Sequence, residues 1–138
     1  MATEPIERFY EIPIFNGKID EALDDAEYFL DLMYENTQSG CPVGEDRPNQ
    51  GHAGGSLKDS WFGEIMTVGG NEIIVRYGYE EVYAEYVDKM TGWFDAGESD
   101  AISNFKGHIE EKIDAGIYGD EDILREQEAE FDFDLDLF

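Results

Sequence analysis

Cations are scarce in this sequence, cysteine is nearly absent and no long apolar run occurs; each shortage removes a class of function. Nine Lys and Arg stand against 34 Asp and Glu, a formal net charge of −25 at pH 7. Affinity for a nucleic-acid backbone comes from cations that neutralise phosphates, so this surface repels DNA and RNA. An anionic membrane surface is disfavoured on the same ground. Cys41 is the single cysteine, so no internal disulfide is possible and the stapled framework of small secreted domains is excluded. The inside of a cell or of an assembled particle is the expected setting. No segment approaches the roughly eighteen apolar residues of a membrane span, and MATEPIERFYEIPIF has no basic stretch followed by an apolar one. The expectation is a soluble protein without a signal peptide and with no membrane partner.

Reaction chemistry is equally sparse. Cys41 and His52 share one loop and pair on paper as nucleophile and base, but the sequence assigns them neither a third orienting residue nor an oxyanion hole. Asp132, Asp134 and Asp136 lack the glycine turn and closing glutamate of a calcium loop, and they alternate with residues that need burial. His52 and His108 stand far apart in sequence, with no second cysteine to complete a zinc-ligand spacing. Gly54-Gly55 and Gly69-Gly70 lack the lysine and the strand-to-helix context of a phosphate-binding loop. The sequence therefore predicts no enzyme, no cofactor and no metal.

The 138 residues are 41% apolar and 14% aromatic, the composition of one folded domain. Acids lie in helix-like segments, loops and the tail rather than in one block. This is the pattern of a surface kept soluble by self-repulsion where salt screens strongly, as in halophiles. The competing reading is a carboxylate array that imitates DNA.

Local patterns predict an α+β fold. After an extended start and a turn at Pro13–Gly17, Ile19, Ala22, Leu23, Ala26, Phe29, Leu30 and Met33 recur at three- and four-residue intervals. They mark an amphipathic helix to about Glu35, with Asn16 as its cap and early acids suited to its dipole. Residues 36–55, rich in Gly, Pro, Asn and Ser, read as a long loop. Trp61–Val68 and Glu72–Tyr77 flank Gly69-Gly70-Asn71 as an antiparallel β-hairpin. Tyr79–Met90 reads as a short helix and TGWFDAGESD as loop. Ser99 caps a last helix whose stripe is Ile102, Phe105, Ile109 and Ile113, ended by Gly116 and Gly119. The expected organisation is one domain over 1–118, with the short and the C-terminal helix packed on a small sheet, and an acidic extended tail over 119–138. In that tail Phe131, Phe133, Leu135 and Leu137 alternate with Asp132, Asp134 and Asp136 before Phe138, the period of a strand.

Two motifs in order complete the reading. Pro42-Val43 precedes Gly55-x-Leu57-Lys58-x-Ser60 and the hairpin, and YAEYVDKMTG follows it, with Tyr83, Ala84, Tyr86, Val87, Thr91 and Gly92 in place. From about Ile19 to Ile113 this arrangement resembles the tail-completion (head-tail joining, or neck) family of long-tailed phages. That family typically has Thr where Gly54 stands, Arg where Lys58 stands, and a shorter stretch after the proline. Within the motifs, Gly55 allows a tight turn, Leu57 anchors it to the core and Ser60 satisfies local backbone groups. Tyr83, Ala84, Tyr86 and Val87 are expected to pack the short helix on the sheet.

The resemblance implies a structural virion protein of a tailed virus, assembled in the host cytoplasm into a homo-oligomeric ring in the neck; the net charge of −25, by composition alone, fits a halophilic, haloarchaeal host. Its partners would be connector, adaptor or stopper proteins on one side and tail-terminator or tail-tube proteins on the other, with double-stranded DNA passing through the acidic channel without specific binding. Trp61, Trp93 and Phe94, which look exposed, and Phe131, Phe133, Leu135, Leu137 and Phe138 of the tail are the expected inter-subunit contacts. The tail would add a strand to a neighbouring sheet. A tail terminator in place of a tail-completion subunit, and an acidic DNA mimic that inhibits a host DNA-binding protein, are the alternatives.

Overall fold

A computed structural model describes residues 4–42 and 56–119. The order of elements is β1 (Ile6–Ile12), α1 (Ile19–Gln38), α2 (Ser56–Asp59), β2 (Trp61–Val68), β3 (Glu72–Tyr79), α3 (Ala84–Thr91) and α4 (Trp93–Asp114). The α+β class expected from the patterns is the observed one. The extended start is β1, which joins the hairpin in an antiparallel sheet of order β1-β3-β2. Ile6 pairs with Tyr79 and Ile12 with Ile73 on one side, and Trp61 with Tyr79 and Val68 with Glu72 on the other.

Strand alternation sorts the sheet into two faces. Ile6, Tyr10, Ile12, Ile73, Val75, Tyr77 and Tyr79 are buried on the face that meets α1 and α4. Phe29 of α1 lies at the centre of this core. It stacks on Tyr10 at 4.4 Å between ring centroids and meets Phe105 of α4 edge-on at 5.2 Å. Each such fully buried side chain contributes about 1.5–3 kcal/mol of transfer free energy, and aromatic pair geometry adds to it. Gly78 has φ +155°, and a Cβ there would overlap the Ile6 carbonyl, so β1 and β3 approach as closely as they do only over a glycine.

Four boundaries differ from the sequence expectation, each for a tertiary reason. Helix α1 continues through Gln38 because Asn36 Nδ2 and Thr37 Oγ1 bond back to the Leu32 and Met33 carbonyls and Thr37 is buried. Asn16 is not the cap. It sits at φ 54°, Lys18 occupies the cap position, and Asn16 Nδ2 donates to the Tyr118 carbonyl. Tyr79 belongs to β3, paired on both sides, so the following helix starts only at Ala84.

The largest correction concerns TGWFDAGESD: Thr91 ends α3, and from Trp93 onward the segment is the start of α4, with Ser99 inside the helix. Its N-terminus is capped from the preceding helix, where Asp88 Oδ1 accepts the backbone N–H of Phe94 and of Asp95. Gly92, at φ 69°, makes the corner between α3 and α4. At the other end Gly116 has φ 74°, and the Ile117 and Gly116 N–H groups bond to the carbonyls of Lys112 and Ile113, a Schellman stop. The stripe is as expected at Phe105, Ile109 and Ile113, all buried, with Ile102 half-buried beside them.

Candidate functional site

The motif residues sit at structural joints. Leu57 of α2 is buried in the core, and its carbonyl accepts both the backbone N–H and the Oγ–H of Ser60. Gln38 Nε2 reaches across from α1 to the Lys58 carbonyl. This cluster fixes the entry of β2, and the Glu80 N–H closes it by donating to the Ser60 carbonyl. Pro42 is half-buried after α1; Val43 and Gly55 lie outside the described residues, as do Phe131, Phe133, Leu135, Leu137 and Phe138.

The second motif forms the corner between the hairpin and α4. Tyr83 precedes α3 and is partly buried against the core with Val87, whereas Ala84 is fully buried and Tyr86 half-buried. The fully buried line of α3 is Ala84 and Asp88, with Tyr86 and Val87 half-buried beside it. Thr91 Oγ1 donates to the Val87 carbonyl and accepts the Trp93 N–H, so Thr91-Gly92 turns the chain into α4.

The three aromatics expected as contacts between subunits are placed differently. Trp93 and Phe94 are 6% and 0% exposed, and both are core residues of this chain. Trp93 Nε1 donates to the Thr37 carbonyl, and Phe94 meets Tyr79 edge-on. A loop would expose both; as the first turn of α4, they point between α1 and β3. Trp61 is half-buried at the end of β2, stacked on Tyr34 at 5.6 Å, and Tyr34 is 43% exposed.

The sheet's second face has no helix over it among the described residues. It carries Phe9, Phe62, Met66, Val68 and Ile74 around Arg76. The Arg76 guanidinium lies 4.3 Å from the Phe62 ring centroid, with its Nε 2.6 Å from Glu7 and its Nη1 3.4 Å from Glu64. These exposed pairs order the face but contribute little energy. At one end an open depression of about 620 Å³ is lined by Glu4, Glu7, Glu80 and Glu85 beside Arg8 and Arg76.

Two buried polar clusters escaped the sequence reading. Asp25 of α1 is 0% exposed and accepts Lys112 Nζ and Tyr118 Oη, both at 2.6 Å, with His108 Nε2 at 3.5 Å. Burial opposes the Lys112 charge, but bonds to Asp25 and Glu21 outweigh it and hold the ammonium above its ordinary range. Asp25 lies three residues after Ala22 and four before Phe29, on the apolar stripe itself, and that placement was the available signal. In the other cluster Tyr77 Oη donates to Glu98 Oε2 at 2.7 Å. Burial pushes the Glu98 carboxyl up, and Asp95 and Asp88 add to this, against the Tyr77 bond and Arg8.

Cys41 is buried and its thiol is pushed up to about 11 by desolvation, which keeps it protonated at neutral pH; His52 lies outside the described residues. Among the described residues no group of three His, Cys, Asp or Glu side chains is arranged to hold a metal ion, and no helix is long and apolar enough to cross a membrane. No family model, curated protein or solved structure was found to match the chain.

Proposed function

We propose that the chain is a structural subunit of a virion neck, a tail-completion protein that assembles into a ring between the connector and the tail of a tailed virus from a high-salt host. The observation that carries this reading is the use made of its two motifs. Leu57–Ser60 and Tyr83–Gly92 pack into joints that hold the hairpin against α1 and α4, and leave the sheet's second face and its edge to other contacts. Residues that fix a scaffold rather than line a reactive cavity fit a protein whose work is done at its surfaces.

Charge supports the same role. Exposed acids lie on β1, α1, β2 and α4, for example Glu7, Glu11, Asp24, Asp31, Glu64 and Asp100. A channel lined in this way repels the phosphate backbone, so DNA passes without adhering. In a ring of identical subunits each copy offers two different surfaces to its two neighbours.

Light scattering of the purified protein in molar salt and in dilute buffer tests the reading. A discrete ring, formed alone or on mixing with connector or tail proteins, supports it, and the protein captured separates a tail-completion from a tail-terminator position. A salt-indifferent monomer that captures a basic DNA-binding protein with steep salt dependence would instead establish the DNA-mimic alternative.

A further inference from the structure

The sheet has two edges, and their sequences differ in a way that selects one for pairing. Strand β1 carries Glu7, Arg8 and Glu11 and is flanked by Pro5 and Pro13, all devices that blunt an edge against another strand. Strand β2 has a single charge, Glu64, and no proline in eight residues. Its outward row of backbone N–H and C=O groups has no partner strand among the described residues. Beside it on the helix side Tyr34, Trp61 and Ile65 form a half-open apolar rim. A long, apolar, unprotected edge is a template for strand addition.

The chain also supplies a segment that fits. FDFDLDLF, residues 131–138, matches β2 in length and alternates strictly. A strand paired at that edge sends one row of side chains to the rim and the other to the sheet's second face. Phe131, Phe133, Leu135 and Leu137 suit the first row, and the aspartates suit the second, where they remain hydrated. The root of this segment is fixed. Tyr118 is tied to Asp25 and Asn16, and Lys18 Nζ donates to the Ile117 carbonyl, so the chain leaves the domain beside the β1–α1 turn. The eleven residues 120–130 then span at most about 40 Å, about eight strand spacings, a reach that extends beyond the domain's own sheet.

We infer that residues 131–138 of one copy add as a strand to the free edge of β2 in the next copy. The inference rests on the neck reading, which supplies the neighbour. Each subunit gives one strand and receives one, a heterologous contact that closes into a ring. Two copies this acidic repel each other at long range, so the contact strengthens as salt shortens the screening length to about 3 Å at 1 M.

Cysteine cross-linking in molar salt tests it, in a C41A background. A mass-tagged copy carrying Glu64→Cys is mixed with untagged copies carrying Asp132→Cys, Asp134→Cys or Asp136→Cys, then oxidised and run without reductant. Glu64 is exposed on the same face as the aspartates would be, so these variants keep the fold, which circular dichroism verifies. The expected result is a tagged–untagged disulfide dimer at one or two of the three positions, lost when Phe133 and Leu135 are both changed to Asp. With both cysteines placed in one chain, an intrachain disulfide that leaves the protein monomeric would overturn the inference, because the strand then pairs at home. A ring by light scattering without any mixed cross-link overturns the inference and leaves the neck reading intact. Mixed cross-links in open chains that never close uphold the strand addition and sink the neck reading.

Discussion

The Asp88 carboxylate accepts the backbone N–H of Phe94 at 2.8 Å, and the same oxygen takes the N–H of Asp95 at 3.0 Å. One buried side chain of α3 thereby satisfies two of the free donors at the start of α4. Asp88→Ala leaves both donors without it and is expected to cost about 2–3 kcal/mol, the sum of a lost cap and buried desolvation. Asp88→Asn keeps an acceptor and should lose about half as much. Urea unfolding of the two variants measures this; equal stability of wild type and Asp88→Ala would refute the cap.

Phe94 and Trp93 are expected to act on folding rather than on assembly. Phe94→Ala removes a 0% exposed ring beside Tyr77 and Tyr79 and should destabilise the domain by about 3–5 kcal/mol. Trp93→Phe keeps most of the packing and loses the bond to the Thr37 carbonyl, for about 1–2 kcal/mol. A variant that unfolds like wild type but fails to assemble would restore these residues to a surface.

Two glycines of α4 should respond in opposite directions. A Cβ on Gly97 would lie 2.7 Å from the Asn36 carbonyl oxygen and 2.9 Å from Thr37 Cγ2, and the backbone at that crossing cannot yield without separating α1 from α4. Gly97→Ala should cost about 1–3 kcal/mol. Gly107 has open space around it inside the same helix, so Gly107→Ala should add about 0.5–1 kcal/mol. Thermal melts of the pair check the sign.

Much of this fold was legible because its signals are local. The 3.6 period of Ala22, Ala26, Phe29 and Met33 and the Gly69-Gly70 turn each lie within a few residues of what they determine. The start of α4 was illegible because its cap is in another helix: without Asp88, Gly92, Asp95 and Gly97 read as loop. A loop at that place would leave Trp93 and Phe94 on the surface, whereas the first turn of α4 buries both. The contacts Asp25 makes with Lys112 and Tyr118 span 87 and 93 residues, beyond any window, although an acid on a buried stripe could have announced the need for partners.

That need sets the next expectation. Lys112→Met leaves the Asp25 charge buried without its cation and should destabilise by about 3–5 kcal/mol. Tyr118→Phe deletes one donor and should cost about 1–3 kcal/mol. Because the folded state holds Lys112 above its ordinary value, its contribution is complete below the unfolded lysine range and is lost as pH rises through the folded one. Burial also pushes the Tyr118 hydroxyl up, with Asp25 adding to it, in the same alkaline direction. Stability measured from pH 8 to 11 should therefore fall, and fall less in Lys112→Met.

Glu98 adds a dependence at the acid end. Its carboxyl is raised in the fold, first by burial and then by Asp95 and Asp88, against the bond from Tyr77 and the charge of Arg8. The folded state thus holds a proton that the unfolded chain has already released, and stability decreases as pH rises from the unfolded glutamate value through the folded one. Glu21 runs the other way, lowered by its hydrogen bond to Lys112 and by that lysine's charge, and its stabilisation is lost as pH falls. Glu21 is the more exposed of the two, and solvent screens it. Glu98→Gln keeps the shape and an acceptor for Tyr77 while removing the titration. Between pH 4 and 7 the melting temperature of wild type should decline with pH more steeply than that of Glu98→Gln; parallel curves would show that Glu98 titrates as an ordinary surface carboxylate.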